Sequence, residues 1–222
     1  MKKLLFLILS ALLALNVAGC GGGAEKKQES KPAPKQENKQ AAPAKADGKK
    51  ILVAYFSHTG ENYGVGVIKK GNTAILAEAI AKEKDAALFE IKEVKPYPEG
   101  YQACVDQAKE EQVKKARPAI KETVKNLADY DVIFLGFPNW WGDMPMPVYT
   151  FLEQTGSFAG KTIIPFCTHE GSGAVDQAGL KSIATCKDAK ILPTFAMKGT
   201  KAQKEQAAAV KEIQEWLKTV KY

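Results

Sequence analysis

The sequence is most informative at residues 132–142, where the apolar run Val132-Ile133-Phe134-Leu135-Gly136-Phe137 passes directly into Pro138-Asn139-Trp140-Trp141-Gly142. A short apolar run bounded by turn residues is typical of a strand buried on both faces, as in a parallel sheet. Two other runs behave alike: residues 51–56 lead into Ser57-His58-Thr59-Gly60, and residues 162–167 lead into Thr168-His169-Glu170-Gly171-Ser172-Gly173. Because ligands of open α/β sheets lie outside the carboxyl ends of the strands, the three loops together predict a site for a flat, anionic ligand.

Strand and helix patterns alternate over the rest of the chain. Strands are predicted near residues 50–56 and at 86–92, 131–137, 161–168 and 189–195, and helices at 73–83, 101–115, 146–154, 174–184 and 201–219. Five βα units in this order predict an α/β fold with a doubly wound parallel sheet. Right-handed crossovers then place helices on both faces of the sheet.

One proline conflicts with this assignment. Pro165 lies inside the fourth predicted strand, and proline is usually excluded from central strands because it has no N–H to donate. The sequence therefore predicts either a bulge at Pro165 or a gap in the ladder beside it.

Residues 1–19 are predicted to be an export signal rather than part of the fold. Lys2 and Lys3 precede an apolar stretch at residues 4–17 that is too short to span a bilayer. The stretch ends in Val17-Ala18-Gly19-Cys20, which resembles a bacterial lipobox, so Cys20 is expected to carry lipid. The expected location is the cell envelope, lipid-anchored on the exported side of a bacterial membrane. An uncleaved membrane helix and a plain secreted form are the alternatives.

Residues 20–49 are interpreted as the lipidated cysteine and a disordered linker, and residues 50–222 as the folded domain. The linker has almost no large apolar side chain, so it cannot bury enough surface to offset the entropy of ordering. The formal charge of the chain is +7, but residues 51–222 carry only about +1 of it. No basic face is left to indicate a nucleic-acid partner.

Other site chemistries find little support in the sequence. His58 and His169 are far apart and give no zinc spacing, so no metal is expected. Beyond Cys20 there are Cys104, Cys167 and Cys186, with no CxxC motif, and Cys167 fits a small core residue better than a reactive one. No GxGxxG follows the first strand, so NAD(P)H is expected to bind only transiently, if at all.

Four motifs in order carry a resemblance to a known family. Residues 57–63 read Ser-x-x-Gly-Glu-Asn-Tyr, and Gly-Asn-Thr, Pro-Asn-Trp-Trp-Gly and Thr-His-Glu-Gly-Ser-Gly follow at 71–73, 138–142 and 168–173. In these loops residues 50–220 resemble the bacterial flavodoxin-like family that binds flavin mononucleotide (FMN). The resemblance implies a five-stranded sheet in the order 2-1-3-4-5 and FMN as the cofactor.

The resemblance also implies which residues contact the flavin. The first loop would surround the phosphate with backbone amides and hydroxyls, and the following helix would add its positive N-terminal end. The second loop would stack Trp140 or Trp141 on the ring system, and the third would supply donors to the other ring edge. The implied contacts are Ser57, His58, Thr59, Gly60, Asn62, Asn72, Thr73, Pro138, Asn139, Trp140, Trp141, Gly142, Thr168, His169, Glu170, Gly171, Ser172 and Gly173.

The first loop departs from an ordinary flavodoxin. There an Asn-Thr pair follows the loop glycine at once, whereas here residues 61–71 intervene. Either Asn62 or the pair Asn72-Thr73 would complete the phosphate loop, with Thr73 favoured, although the pair would also suit a simple helix cap. Glu61 would repel a phosphate, so its side chain is expected to point away from it.

Two charged or titratable groups of the third loop admit more than one role. His169 would serve as a proton donor to the flavin or, alternatively, would only make a backbone hydrogen bond. Glu170 near the ring would disfavour an anionic reduced flavin through like-charge repulsion.

The favoured function is an FMN-binding electron carrier with a redox protein or a small acceptor such as a quinone as partner. The alternatives are an NAD(P)H-dependent quinone or flavin reductase and a flavin-free binding or scaffold module on the same fold.

Overall fold

The computed structural model describes residues 45, 46 and 48–222, so the predicted export signal, Cys20 and most of the predicted linker lie outside the described residues. The strands are β1 (Lys45–Ala46), β2 (Lys49–Tyr55), β3 (Gly60–Asn62), β4 (Gly66–Ile68), β5 (Ala87–Glu90), β6 (Val132–Pro138), β7 (Thr162–His169), β8 (Lys190–Ile191) and β9 (Phe195–Lys198). The helices are α1 (Asn72–Lys84), α2 (Tyr101–Lys114), α3 (Met146–Gln154), α4 (Ala178–Ser182), α5 (Gly199–Lys204) and α6 (Gln206–Thr219).

The central sheet has the predicted order. Strand β2 pairs in parallel with β5 on one side and with β6 on the other, and β6 pairs in parallel with β7. Strands β8 and β9 both pair in parallel with β7 and together form its outer neighbour. The order β5-β2-β6-β7-β8/β9 confirms the flavodoxin-like α/β fold with order 2-1-3-4-5. The short strand β1 adds an antiparallel pair to the start of β2.

Alternate residues of the central strands enter two separate cores, as strand periodicity requires. In β2, Leu52 and Ala54 belong to the core that also holds residues of α2 and α3. Ile51 and Val53 belong to the opposite core, which holds residues of α1 and α6. The sheet is thus covered on both faces, which explains why its strands are continuously apolar.

Pro165 lies beside an interruption of the outermost strand. The ladder pairs Ile163 with Ile191 and resumes at Phe166 with Phe195, so three edge residues lie opposite two residues of β7. The carbonyl of Ile163 accepts a hydrogen bond from Leu192 (2.9 Å), and alternate residues of a strand face the same neighbour. Pro165 therefore faces the interrupted edge, where its missing N–H leaves no ladder bond unmade.

Several predicted boundaries are wrong. The strand predicted at 189–195 is split into β8 and β9, and the helix predicted at 201–219 is split at Glu205 into α5 and α6. The helix predicted at 174–184 shrinks to α4, where the carboxylate of Asp176 accepts a short hydrogen bond from the Ala178 amide. Strands β3 and β4, which pair as an antiparallel hairpin, were not predicted at all.

Cys104, Cys167 and Cys186 are all free and buried. Cys167 is fully enclosed in the core, which agrees with its predicted structural role. No helix within residues 48–222 is both long and apolar enough to cross a membrane.

Candidate functional site

A cavity of about 350 Å³ lies at the carboxyl ends of β2, β6 and β7, where the three predicted loops meet. Its size falls within the range of small-molecule sites. It is lined by His58, Glu61, Asn62, Tyr63, Asn72, Tyr101, Cys104, Val105, Ala108, Pro138, Asn139, Trp140, Trp141, Thr168, His169, Glu170 and Ser172.

The residues that interrupt the first loop form the β3–β4 hairpin, which leaves the sheet edge and returns to it. The chain re-enters at Gly71, where a side chain would be impossible: a Cβ atom would lie 2.1 Å from the Ser57 hydroxyl and 2.5 Å from the His58 carbonyl oxygen. The close approach brings residues 57–58 against the start of α1. The two halves of the loop, separated by the hairpin in sequence, are therefore contiguous in space.

Hydroxyl groups fix the start of α1. The Ser57 hydroxyl oxygen accepts a hydrogen bond from the Ala74 amide (3.1 Å), and Gly71, not Asn72 or Thr73, occupies the N-cap position. The interpretation of Asn72-Thr73 as a simple helix cap is therefore wrong. Thr73 and Thr168 are buried and share a hydrogen bond between their hydroxyl groups (2.8 Å), which joins the first loop to the third.

The hairpin is fastened to the start of α2. The Glu61 amide donates to the Glu99 carbonyl (2.7 Å), and the Glu61 carboxylate accepts a hydrogen bond from the Tyr101 amide (3.0 Å). A carboxylate at a helix N-terminus is favourable because it meets unpaired amides and the positive end of the helix dipole. The negative charge of Glu61 is thus directed to α2, although the residue still lines the cavity.

Asn139 connects the second loop to the third. Its amide donates to the Thr168 carbonyl (2.8 Å), its side-chain nitrogen donates to the Gly173 carbonyl (3.0 Å), and its side-chain oxygen accepts from the Gly142 amide (3.0 Å). Every polar atom of this side chain is occupied within the protein. We therefore assign Asn139 the role of setting the distance between the loops.

The two tryptophans of the second loop have different environments. Trp140 is half-buried and makes edge-to-face contacts with Phe56 (ring centroids 5.5 Å apart) and Tyr97 (5.0 Å). Trp141 is 52% exposed, and its indole N–H donates to the Val105 carbonyl (3.2 Å). Of the two tryptophans expected to stack on the flavin, Trp141 is therefore the exposed one.

The third loop folds around its histidine and glutamate. His169 Nδ1 accepts hydrogen bonds from the amides of Gly171 (2.9 Å) and Gly173 (3.1 Å), so the backbone-bonding role expected as the alternative is present. Burial lowers the pKa of His169, and Glu170 opposes that shift. The Glu170 carboxylate accepts hydrogen bonds from the amide (2.6 Å) and the hydroxyl (3.1 Å) of Thr200 at the start of α5.

Two buried polar atoms at the cavity have no partner within residues 48–222: His58 Nε2 and Asn72 Oδ1. Buried polar atoms are nearly always hydrogen-bonded, so such a pair in one cavity indicates contacts with a polar ligand. Burial lowers the pKa of His58, with an opposing effect from Glu99, so its imidazole tends to be neutral. Among the described residues that line the cavity there is no lysine or arginine.

Most of the predicted contacts line the cavity, and the exceptions are Ser57, Thr59, Gly60, Thr73, Gly142, Gly171 and Gly173. Asn62 and Asn72 both line the cavity, but Asn62 lies on the hairpin whereas Asn72 is the first residue of α1. Sequence reasoning missed Glu61, Tyr63, Tyr101, Cys104, Val105 and Ala108 as lining residues. The last four belong to α2, and no local signal in the sequence shows that this helix turns one face to the site.

The fold and a cavity formed by three loops at the carboxyl ends of parallel strands define an α/β protein of the flavodoxin-like class. The chain belongs to the flavodoxin family, since the model of that family matches residues 50–219. In structure it is similar to a candidate flavoprotein from Bacteroides eggerthii. The two are 31% identical with a TM-score of 0.59, and the match covers 78% of this chain and 99% of the other.

Two curated relatives are similar in sequence, and both are named NAD(P)H dehydrogenase (quinone). The protein of Cupriavidus metallidurans is 33% identical over 107 residues, 48% of this chain and 47% of its own. The protein of Rhizobium johnstonii is 30% identical over 152 residues, 68% of each chain. This chain thus spans about half the length of the first relative and about two thirds of the second.

Proposed function

We propose that this protein binds FMN and acts as an electron-transfer flavoprotein. The observation that carries the proposal is a pair of buried atoms, His58 Nε2 and Asn72 Oδ1, that have no hydrogen-bond partner among the described residues and lie in one cavity at the carboxyl edge of the sheet. Asn72 Oδ1 can only accept a hydrogen bond, so it requires a donor such as a hydroxyl group of the ribityl chain. Family membership supports a flavin as the ligand.

The residues at the start of α1 suit the phosphate end of FMN. The first amides of a helix have no partner within it, and here the Ser57 hydroxyl satisfies only that of Ala74. The amides of Asn72 and Thr73 would hold the phosphate in the manner usual at helix N-termini. Because no lysine or arginine is among the described residues that line the cavity, backbone dipoles and hydroxyl groups would carry this binding.

The bound flavin would supply the electron-transfer chemistry, and the protein would set its environment. Trp140, with Phe56 and Tyr97 behind it, would give the flavin an aromatic surface on one side of the cavity. Asn139 and the Thr73–Thr168 hydrogen bond keep the three loops at fixed distances. His169 Nδ1 is held as an acceptor by two amides, so only its Nε2 is left to exchange a proton with a ligand.

Titration of the purified protein with FMN and with riboflavin tests this proposal. We expect FMN to bind with its fluorescence quenched and riboflavin to bind at least tenfold more weakly, because it lacks the phosphate. Asn72→Ala is expected to weaken FMN binding about tenfold, and Asn62→Ala, on the hairpin, is expected to weaken it less. A larger loss in Asn62→Ala would mean that Asn62, and not Asn72, completes the phosphate loop. A folded protein that binds neither compound would favour the flavin-free module instead.

A second candidate is an NAD(P)H-dependent quinone reductase. It is favoured by the names of the two curated relatives. Steady-state oxidation of NAD(P)H by the FMN-loaded protein, with menadione as acceptor, would establish it. Oxidation that does not exceed the rate with free FMN would leave the carrier as the function.

We further propose that the chain is lipidated at Cys20 and held at the exported side of a bacterial membrane. The lipobox-like stretch Val17-Ala18-Gly19-Cys20 supports this proposal. To test it, the native chain is expressed in a bacterium, and the membrane extract is separated into a detergent phase and an aqueous phase by warming a detergent of low cloud point. The native chain is expected in the detergent phase and Cys20→Ala in the aqueous phase, and equal partitioning would contradict lipidation.

A further inference from the structure

Two tyrosines at the mouth of the cavity form an exposed aromatic pair. Tyr63, on the hairpin, is 65% exposed, and Tyr101, at the start of α2, is 36% exposed. Their ring centroids lie 5.9 Å apart with an angle of 35° between the planes, and both rings line the cavity. Large aromatic side chains that stay exposed at the entrance of a cavity indicate an interaction site.

The backbone around the pair is held by polar contacts rather than by burial of the rings. Glu61 bonds the Tyr101 amide through its carboxylate and the Glu99 carbonyl through its own amide. A Cβ atom on Gly60 would lie 2.7 Å from that Glu99 carbonyl oxygen, so the hairpin lies directly against residue 99. The two residues are therefore positioned by the backbone, while Tyr63 stays mostly exposed and Tyr101 partly exposed.

Charge at the mouth restricts what the pair can bind. Glu61 places a negative charge beside the pair, because its carboxylate accepts a hydrogen bond from the Tyr101 amide (3.0 Å), and this charge disfavours an anion at the tyrosines. Two lysines have partners of their own: Lys109 lies over the Trp141 ring (4.8 Å) and Lys204 donates to the Gly64 carbonyl (3.3 Å). Flat apolar faces without a cation suit an uncharged planar molecule.

We propose that Tyr63 and Tyr101 form a subsite for an uncharged planar electron acceptor of the quinone class, next to the flavin. The inference rests on the proposed flavin binding and adds the place where a quinone acceptor binds and the residues that contact it. In the reaction the reduced flavin loses two electrons and two protons and is reoxidised. The quinone gains them and becomes the hydroquinone. A nicotinamide or a reduced carrier protein would supply the electrons that reduce the flavin.

Reoxidation kinetics of the FMN-loaded protein, reduced beforehand with dithionite, test the subsite. Menadione is the uncharged probe, and 1,2-naphthoquinone-4-sulfonate is the anionic comparison. The double variant Tyr63→Ala/Tyr101→Ala is expected to raise the half-saturating menadione concentration about tenfold while the dissociation constant of FMN changes less than threefold. The Phe/Phe double variant should retain the native value, and Val67→Ala, a residue 80% exposed on the same hairpin, is the matched control.

The outcomes separate the subsite from the flavin site. An unchanged menadione dependence in the Ala/Ala variant would overturn the subsite and leave flavin binding intact. A parallel loss of FMN affinity would also overturn it, because the tyrosines would then belong to the flavin site itself. If the Ala/Ala variant raised the half-saturating concentration of 1,2-naphthoquinone-4-sulfonate as much as that of menadione, the selectivity for uncharged acceptors would be contradicted. A native protein that binds no flavin would overturn the proposed function and the subsite together.

Discussion

Trp140 and Trp141 are neighbours in the sequence but belong to two different regions of the site. We define the floor as Phe56, His58, Tyr97 and Trp140, and the rim as Tyr63, Tyr101 and Trp141. Trp140 is half-buried among aromatic rings, whereas Trp141 is 52% exposed. Trp141 contacts α2 through two hydrogen bonds, with the Val105 carbonyl and the Gln112 side chain, and through the ammonium group of Lys109. The floor is therefore held by packing of aromatic rings, and the rim by its backbone and by single polar contacts.

The turn that separates the two tryptophans explains the difference. Trp140 and Asp143 exchange backbone hydrogen bonds (3.0 and 3.1 Å), and the two residues between them have positive φ, 56° at Trp141 and 79° at Gly142. Positive φ at both central residues reverses the chain tightly and turns the second tryptophan away from the first. A bulky residue with positive φ is unusual and costs roughly 1–2 kcal/mol. The rim thus places an aromatic ring at the entrance at the expense of stability.

The largest expected effect comes from truncating each tryptophan in turn. Trp140→Ala should lower the free energy of unfolding by roughly 3 kcal/mol because it opens a void in the aromatic floor. Trp141→Ala should cost less than about 1 kcal/mol because the ring is exposed. Urea unfolding at neutral pH measures both, and equal losses would remove the distinction between floor and rim.

A second contrast uses two glycines at the starts of helices. Gly71 and Gly100 both occupy N-cap positions with extended backbone, but a Cβ atom on Gly71 would overlap Ser57 and His58, whereas on Gly100 it would meet nothing within 4 Å. Gly71→Ala should therefore cost about 2 kcal/mol or more, and Gly100→Ala should stay within about 0.5 kcal/mol. The same unfolding experiment applies. A tolerated Gly71→Ala would show that the first loop is not tightly packed.

The floor should also make stability depend on pH. Burial lowers the pKa of His58 in the folded state, with Glu99 opposing, so the unfolded chain binds a proton more readily just below pH 6.5. The free energy of unfolding should then fall as the pH drops from 7.5 to 5.5, by up to about 1.4 kcal/mol per pH unit for this group. His58→Gln should show a smaller loss over that interval.

His169→Gln should also reduce the loss, and comparing the two variants separates the contributions of the two histidines. Burial lowers the pKa of His169 in the same direction, but its imidazole belongs to the third loop and not to the floor. A pH dependence that is identical in native protein and His58→Gln would show that the floor histidine does not titrate differently on folding.

The smallest effect concerns the backbone of the rim. Because Trp141 has φ of 56°, Trp141→Gly should be about 1 kcal/mol more stable than Trp141→Ala, the reverse of the usual order for these residues. The comparison of the two variants isolates the backbone, since both lack the ring. A more stable alanine variant would mean that the turn relaxes when the indole is removed.

The floor of the site was easier to predict from the sequence than the rim. His58, Asn139 and Trp140 were predicted because they directly follow apolar strands, and the carboxyl ends of parallel strands meet at one edge. Glu61 was expected to point away from a phosphate, and its carboxylate does bond the start of α2. Tyr101 and Cys104 were missed because a helix distant in sequence supplies them.

The sequence by itself determined the fold and the edge at which the site lies, because the length and apolarity of the strands are local properties that translate directly into a parallel sheet. Only the tertiary structure decided that the chain between Gly60 and Gly71 forms a hairpin and that the Ser57 hydroxyl, not the side chain of Asn72, bonds an amide in the first turn of α1. The split of the last strand beside Pro165 was decided in the same way. These features depend on contacts between residues far apart in the chain, and no short pattern encodes such contacts.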